Sequence, residues 1–496
     1  MKSNLKNPNR PLVSCGGDYS RRSFSPFSQP LKANFPEFVY HKKVHNLANS
    51  VFIYVEAMPP KRRRSNSVRE SDTGAVKLPK KLKVVIEHDV PVGLQRSGVV
   101  LVTGAGDVGQ LGMGSDILEK SRFSLVNMEH EIVDVCAGGM HTVCLTKTGK
   151  VLTFGCNDEG ALGRITADKE DSEFTADEVE LPDKVVQVSA GDSHSAALLC
   201  DGRVFIWGTF RDSHGNMGLT PNGNENRPYQ ILENRVIVKI ASGADHFVCL
   251  TAQGDIYTCG CGEQGQLGRT SERSSGRTAR SGAGVDQLGK LLHPALISLK
   301  PSLKLHFEDV WTGTYATFAK VANSDDIYVF GLNNYNQIGL SQTAKPQFSV
   351  KLSKDFSSRK WKLICGGQHH TVALDEDGVT YAIGRKEYGR LGLGNECNDA
   401  EELTAIPALQ NKKIIDIGCG SATSFAVTEE GDLYGWGMGT VGQLGTGEDE
   451  DCFAPTLIKT KQLIDRQVFK VSSGGQHTVI LATVTNNNKT ENNVSS

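Results

Sequence analysis

Two short glycine patterns alternate along this chain, and each occurs seven times. The first is Gly-x-x-His (or a variant without the histidine) followed by an apolar run. Its glycines are Gly138, Gly191, Gly243, Gly313, Gly366, Gly420 and Gly474, at intervals of 53, 52, 70, 53, 54 and 54 residues. The second is Gly-x4-Gly-x-Leu-Gly, plain at 155–163, 260–268, 384–392 and 437–445, with variants at 104–112, 208–218 and 331–339. A period of this length in a 496-residue chain means a repeat architecture rather than three or four unrelated domains. The long interval marks an insertion.

Between the two patterns each unit reads as a hairpin. Residues 142–146 (T-V-C-L-T) and 150–154 (K-V-L-T-F) flank a turn at Lys147-Thr148-Gly149. Short β-branched and aromatic runs hinged on glycine predict antiparallel strands. One unit cannot bury both faces of its sheet, so it must stack on its neighbours, and four short strands per unit around an axis make a propeller. A solenoid would leave two open ends. The termini point to closure, because the first glycine pattern (104–112) has no histidine pattern before it and the last histidine pattern (474–481) has no glycine pattern after it. Together they complete one unit. The expected fold is an all-β, seven-bladed β-propeller closed by pairing of N- and C-terminal segments in one blade, over residues 95–484. Around it are expected an unassigned 1–57 that is disordered or not part of the working chain, a basic disordered tail with a nuclear import signal over 58–94, an inserted loop at 270–290 and a disordered tail at 485–496.

The formal charge of −2 hides a split: residues 1–83 hold 17 Lys/Arg against 5 Asp/Glu, so +12, and the remainder must sum to −14. A basic head on an acidic body predicts two kinds of partner. The 12 cysteines include no C-x-x-C pair, and Cys259-x-Cys261 is too close for the usual zinc spacing. Several (Cys136, Cys144, Cys249, Cys365, Cys419) sit in apolar runs, as small hydrophobes in a reducing compartment. No run approaches a membrane span, and no metal or cofactor motif is present.

The units G-G-M-H-T-V-C-L, F-G-C-N-D-E-G-A-L-G-R, S-A-G-D-S-H-S-A-A-L and G-C-G-E-Q-G-Q-L-G-R resemble regulator of chromosome condensation repeats. The resemblance covers about residues 95–482 and extends to F-R-D-S-H-G-N-M. It implies a guanine-nucleotide exchange factor for the small GTPase Ran, bound to nucleosomes and DNA in the nucleus, accelerating GDP/GTP release without covalent chemistry or cofactor.

Function is sought where the repeat is broken. His141, His194, His246, His369 and His477 read as one register in five units. That ring either ties blade to blade or lines the channel mouth, and the resemblance places His141, His369 and His477 against the GTPase. Asp192 replaces a glycine, and Asp245 stands where other units carry uncharged residues. Either acid could stabilise a turn or anchor a partner's Lys or Arg; the resemblance assigns both, with Asp107 and Arg269, to GTPase contact. Gly208 to Gly215 spans seven residues where other units span five, so Phe210, Arg211, Asp212, Ser213, His214, Gly215, Asn216 and Met217 must bulge. The family's equivalent is a wedge pushed into the GTPase. Asn336, where a family member has histidine, receives no role.

The insertion carries Arg273, Arg277 and Arg280 in a Ser/Gly-rich context, and the resemblance implies contact with the acidic patch of the nucleosomal histones, on the face opposite the GTPase. Lys61, Arg62, Arg63, Arg64, Lys80, Lys81 and Lys83 form two clusters that fit a bipartite import signal, read by a nuclear import receptor, or a DNA-contacting arm. The working chain could begin at Met58, whose removal would expose Pro59-Pro60-Lys61, similar to the family's N-methylated start. The competing readings are a chromatin- or protein-binding propeller without exchange activity, and a hydrolase using the Asp/His ring, which no nucleophile motif supports.

Overall fold

The computed structural model describes residues 50–57, 82–89, 96–276, 284–341 and 344–484. The chain is an all-β propeller. In the first complete unit, strands Ile132–Ala137, His141–Thr146, Val151–Gly155 and Asp177–Val179 pair antiparallel in that order. The same order recurs along the chain, and the one eight-stranded sheet is two such units joined by a single parallel bridge, Gly313 to Gly366. One further sheet combines Arg466–Ser473 and His477–Val484 with Val99–Ala105 and Glu119–Leu125. The innermost strands lie side by side in chain order, and Arg466–Ser473 lies beside Ile132–Ala137.

The glycine patterns have a steric cause. Gly208 ends a third strand at φ 95°, and a Cβ there would collide with the Ser193 carbonyl oxygen. The matching glycine of every other unit meets the residue before its repeat histidine, or before that position, in the same way. In five of the units the last glycine of the pattern seats an aromatic ring of the next: a Cβ on Gly163 would lie 2.7 Å from Trp207 Nε1, and that indole donates to the Ala161 carbonyl at 2.8 Å. Sheet faces then fuse into cores shared by neighbours, as where Val143, Leu145 and Val151 pack with Val188, Leu199 and Trp207.

The histidines lock this stacking. His141 Nε2 bonds Ser195 Oγ at 2.8 Å, His194 bonds Ser242 at 3.1 Å, His246 bonds Thr317 at 3.0 Å and His370 bonds Ser424 at 2.8 Å. His477, from the last unit, bonds Thr142 of the first at 2.9 Å. Ser195 donates its own proton to the Ala161 carbonyl, so the His141 ring is the donor in their bond. The fifth histidine of the series is therefore His370, not His369. Its companion glycine is Gly367, whose Cβ would collide with the His370 ring, just as one on Gly191 would collide with His194. The paired residues His369-His370 and Gly366-Gly367 had allowed a one-residue slip of register.

Outside the repeat, Ser50–Ala57 pairs antiparallel with Leu82–Asp89, a ribbon that no repeat or periodicity in those segments predicts.

Candidate partner-binding face

Each second strand begins, and each third strand ends, at the same end of its blade, so the rim residues and the glycine-pattern loops share one face. The rim series runs Met140, Ser193, Asp245, Tyr315, His369, Ala422 and Gln476. Asp245 is its one carboxylate, and Asp192 projects from the preceding blade. Asp192 is exposed, yet the surrounding rim withholds enough water to raise its carboxyl pKa, against the pull of Arg211. Asp245 is pushed up to about 7, chiefly by desolvation and then by Asp192, with the Arg211 amide and guanidinium opposing. Tyr315 closes the group; burial and the two aspartates push its phenol up to about 12.

The bulge beside these acids is a hairpin. Phe210–Asp212 pairs with Gly215–Gly218, leaving Ser213 and His214 at the tip. Its root is fixed from below: Phe210 and Met217 are buried, and the Phe210 ring lies 4.8 Å from the His194 imidazole. Residues 210 and 217 are thus anchors, and only 211–216 can meet a partner. Three carboxylates hold that part from the sides. Asp245 Oδ1 accepts the Arg211 N–H at 2.8 Å, and Glu263 accepts the Ser213 N–H at 3.0 Å and hydroxyl at 2.7 Å. Glu159 accepts from the Asn216 and Asn224 amides and lies 3.6 Å from Arg211. Glu159 and Glu263 were missed in the sequence because they sit inside regular glycine patterns; the one available signal was an acid in each loop flanking the irregular one.

Other expected contacts fall elsewhere. His141 and His477 are 1% and 0% exposed, spent on blade-to-blade bonds, and burial lowers their imidazole pKa to about 4 and about 3. They do not face a partner. Arg269 is also structural. Its guanidinium donates to the carbonyls of Thr258, Lys290, Leu291 and His293, as Arg164 does to those of Thr153, Ser172 and Thr175 in its own unit. The resemblance carried Arg269 to the partner face; a fork of donors beside free carbonyls leaves it half-buried and turned toward the insertion. Asp107 stays exposed on the rim face, accepting from Gln110 Nε2 at 3.1 Å. His369 is half-buried there, its ring 5.2 Å from Tyr335.

The connection that carries the insertion leaves its blade after Gly260 and returns at Ala295. Its helix, Gly284–Leu292, puts Leu291 and Leu292 into the core that also holds Phe210 and Met217. Arg273 is exposed; Arg277 and Arg280 lie outside the described residues, as do Lys61, Arg62, Arg63, Arg64, Lys80 and Lys81. Lys83 falls in the Leu82–Asp89 strand, opposite Glu56.

The chain is thus a repeat propeller that carries, on one face, two neighbouring aspartates and, among the described residues, one hairpin that interrupts a glycine pattern. A family model for the RCC1-like domain matches residues 99–480, and the chain belongs to that family. It is 49% identical to the regulator of chromosome condensation of Xenopus laevis over 84% of this chain and 97% of that protein. Among solved structures it resembles Prp20p of Saccharomyces cerevisiae, described with its binding properties to Gsp1p and histones, at 27% identity and TM-score 0.71, over 79% of this chain and 93% of that one. Yeast RCC1 (Prp20) bound to Kap60 is similar at 25% identity and TM-score 0.71, over 86% and 97%.

Proposed function

We propose that this chain is a guanine-nucleotide exchange factor for the small GTPase Ran, acting on chromatin in the nucleus, and that its propeller is a closed ring of seven blades. Closure is supported by the His477–Thr142 bond and by the sheet that joins both ends of the domain. The observation that carries the exchange reading is the hairpin: among the described residues, one unit alone pushes such a segment, 211–216, out beside Asp192 and Asp245. A surface that binds the nucleotide-free GTPase better than the loaded one speeds release, and a fixed protrusion can discriminate between those states where a flat rim cannot.

In this reading Asp192 and Asp245 take cations of the GTPase, with Asp107 and His369 on the same face. Arg273, Arg277, Arg280 and the basic head meet the histone acidic patch and DNA, and the head is read by an import receptor. The likeness to Prp20p supports both kinds of partner. Stopped-flow release of fluorescent GDP from Ran tests the activity. Shortening 211–214 by two residues should slow release far more than it weakens binding of the GTPase. Binding with no acceleration by the intact chain would leave a scaffold.

A further inference from the structure

The hairpin tip brings Asp212 and His214 to Glu263, which no sequence spacing links to them. Asp212 and His214 flank Ser213, and Glu263 reaches over from the next unit. His214 Nδ1 lies 3.8 Å from Asp212 Oδ1 and 3.9 Å from Glu263 Oε1. One ligand atom from each residue falls within 4.8 Å of the other two. Tetrahedral ligands at about 2.1 Å from zinc stand about 3.4 Å apart, so closure needs shifts of several tenths of an ångström up to about 1.4 Å on a two-residue turn.

The burial is graded as an open metal site requires. The Asp212 side chain is 2% exposed, that of Glu263 20% and that of His214 49%. The imidazole covers one side, and the outer side stays open to water. Asp212 is also held in place, accepting the His214 N–H at 2.8 Å. Among the described residues this is the one group of three or more His, Cys, Asp or Glu with such closeness.

We propose that Asp212, His214 and Glu263 form a site for a divalent first-row transition metal such as zinc, with water in the remaining position. One imidazole and two carboxylates suit such an ion better than calcium or magnesium, which prefer all-oxygen shells. The ion would cross-link the tip to the neighbouring unit, replacing the bonds of Ser213 to Glu263 and the contact of Ser213 Oγ with His214 Nδ1 at 3.1 Å. Its existence is independent of the exchange reading; its consequence, a hairpin withheld from the GTPase, rests on it.

Cobalt(II) titration of the full chain separates this site from the cysteines, because thiolate ligands give an intense charge-transfer band and nitrogen or oxygen ligands do not. The expected result is one cobalt per chain without that band, with zinc displacing it. His214→Ala and Glu263→Gln should each weaken binding by about tenfold or more. His214 is at an exposed tip, so its variant keeps the fold, which circular dichroism checks. Cobalt binding unchanged in both variants, or accompanied by the thiolate band alone, overturns the site. If the site binds but zinc leaves GDP release from Ran unaltered, the metal stands and the wedge reading falls.

Discussion

The carboxylate of Asp245 accepts the backbone N–H of Arg211 at 2.8 Å, tying the rim of one blade to the hairpin that rises from the blade before it. One side chain therefore both lies on the rim face and sets the angle of the element beside it. Its substitution cannot be read as loss of a contact alone.

Asp245 titrates near neutrality. Its folded pKa, about 7, lies above the ordinary 3.8, so the folded state holds the proton more tightly than the unfolded chain. Its favourable contribution is complete below about pH 4 and disappears as pH rises through 7. Asp245→Asn keeps an acceptor for Arg211 and removes the charge. It should raise Tm at pH 8 and leave Tm at pH 4 unchanged; equal shifts at both would show that the charge is not the source of strain.

Docking a cation against Asp245 should expel that proton. Binding of nucleotide-free Ran at pH 6.5, measured by calorimetry in buffers of different ionisation heat, should then show net proton release that Asp245→Asn abolishes. No buffer dependence would place the carboxylate outside the interface.

Glu159 holds the hairpin from its outer side through Arg211, Asn216 and Asn224. Glu159→Ala should quicken amide exchange of residues 211–216 and lower the maximal rate of GDP release several-fold. Global stability should change by no more than about 0.5–1 kcal/mol, as for a surface position. A lowered maximal rate with unaltered amide protection would mean that Glu159 touches the GTPase itself.

The histidine ring predicts acid sensitivity. Burial lowers the pKa of His194, His246 and His477 to about 3 and that of His141 to about 4. Their contribution is present above the unfolded value near 6.5 and is lost as pH falls toward the folded values. Denaturant midpoints should therefore drop steeply between pH 6.5 and 4. His141→Ala, which leaves Ser195 without its donor, should cost about 2–4 kcal/mol while exchange per folded molecule persists. Intact stability with lost exchange would return His141 to the interface.

Arg269 should be irreplaceable by lysine. Its guanidinium reaches four carbonyls across the insertion, and a single ammonium cannot reproduce that fork. Both Arg269→Ala and Arg269→Lys should speed proteolysis within 270–294, with the rest of the chain protected. Equal cleavage rates in wild type and variants would mean that Leu291 and Leu292 hold the helix unaided.

Sequence by itself determined the repeat, its period, the strand hairpins and the irregular unit, because those follow from local periodicity and from glycines that tolerate no side chain. It also singled out Asp192 and Asp245, since a charge in a repeated uncharged position is visible in one dimension. Tertiary structure alone decided which of the repeated polar residues face outward. His141, His477 and Arg269 look like surface chemistry in a string of letters. His141 and His477 are buried and Arg269 half-buried because each finds a hydroxyl or a carbonyl of the next blade or of the insertion at hydrogen-bonding distance. The clamp of Glu159, Asp245 and Glu263 on residues 211–216 was likewise illegible. Its three acids come from separate stretches of the repeat, and only the stacking of blades about an axis carries them to one hairpin.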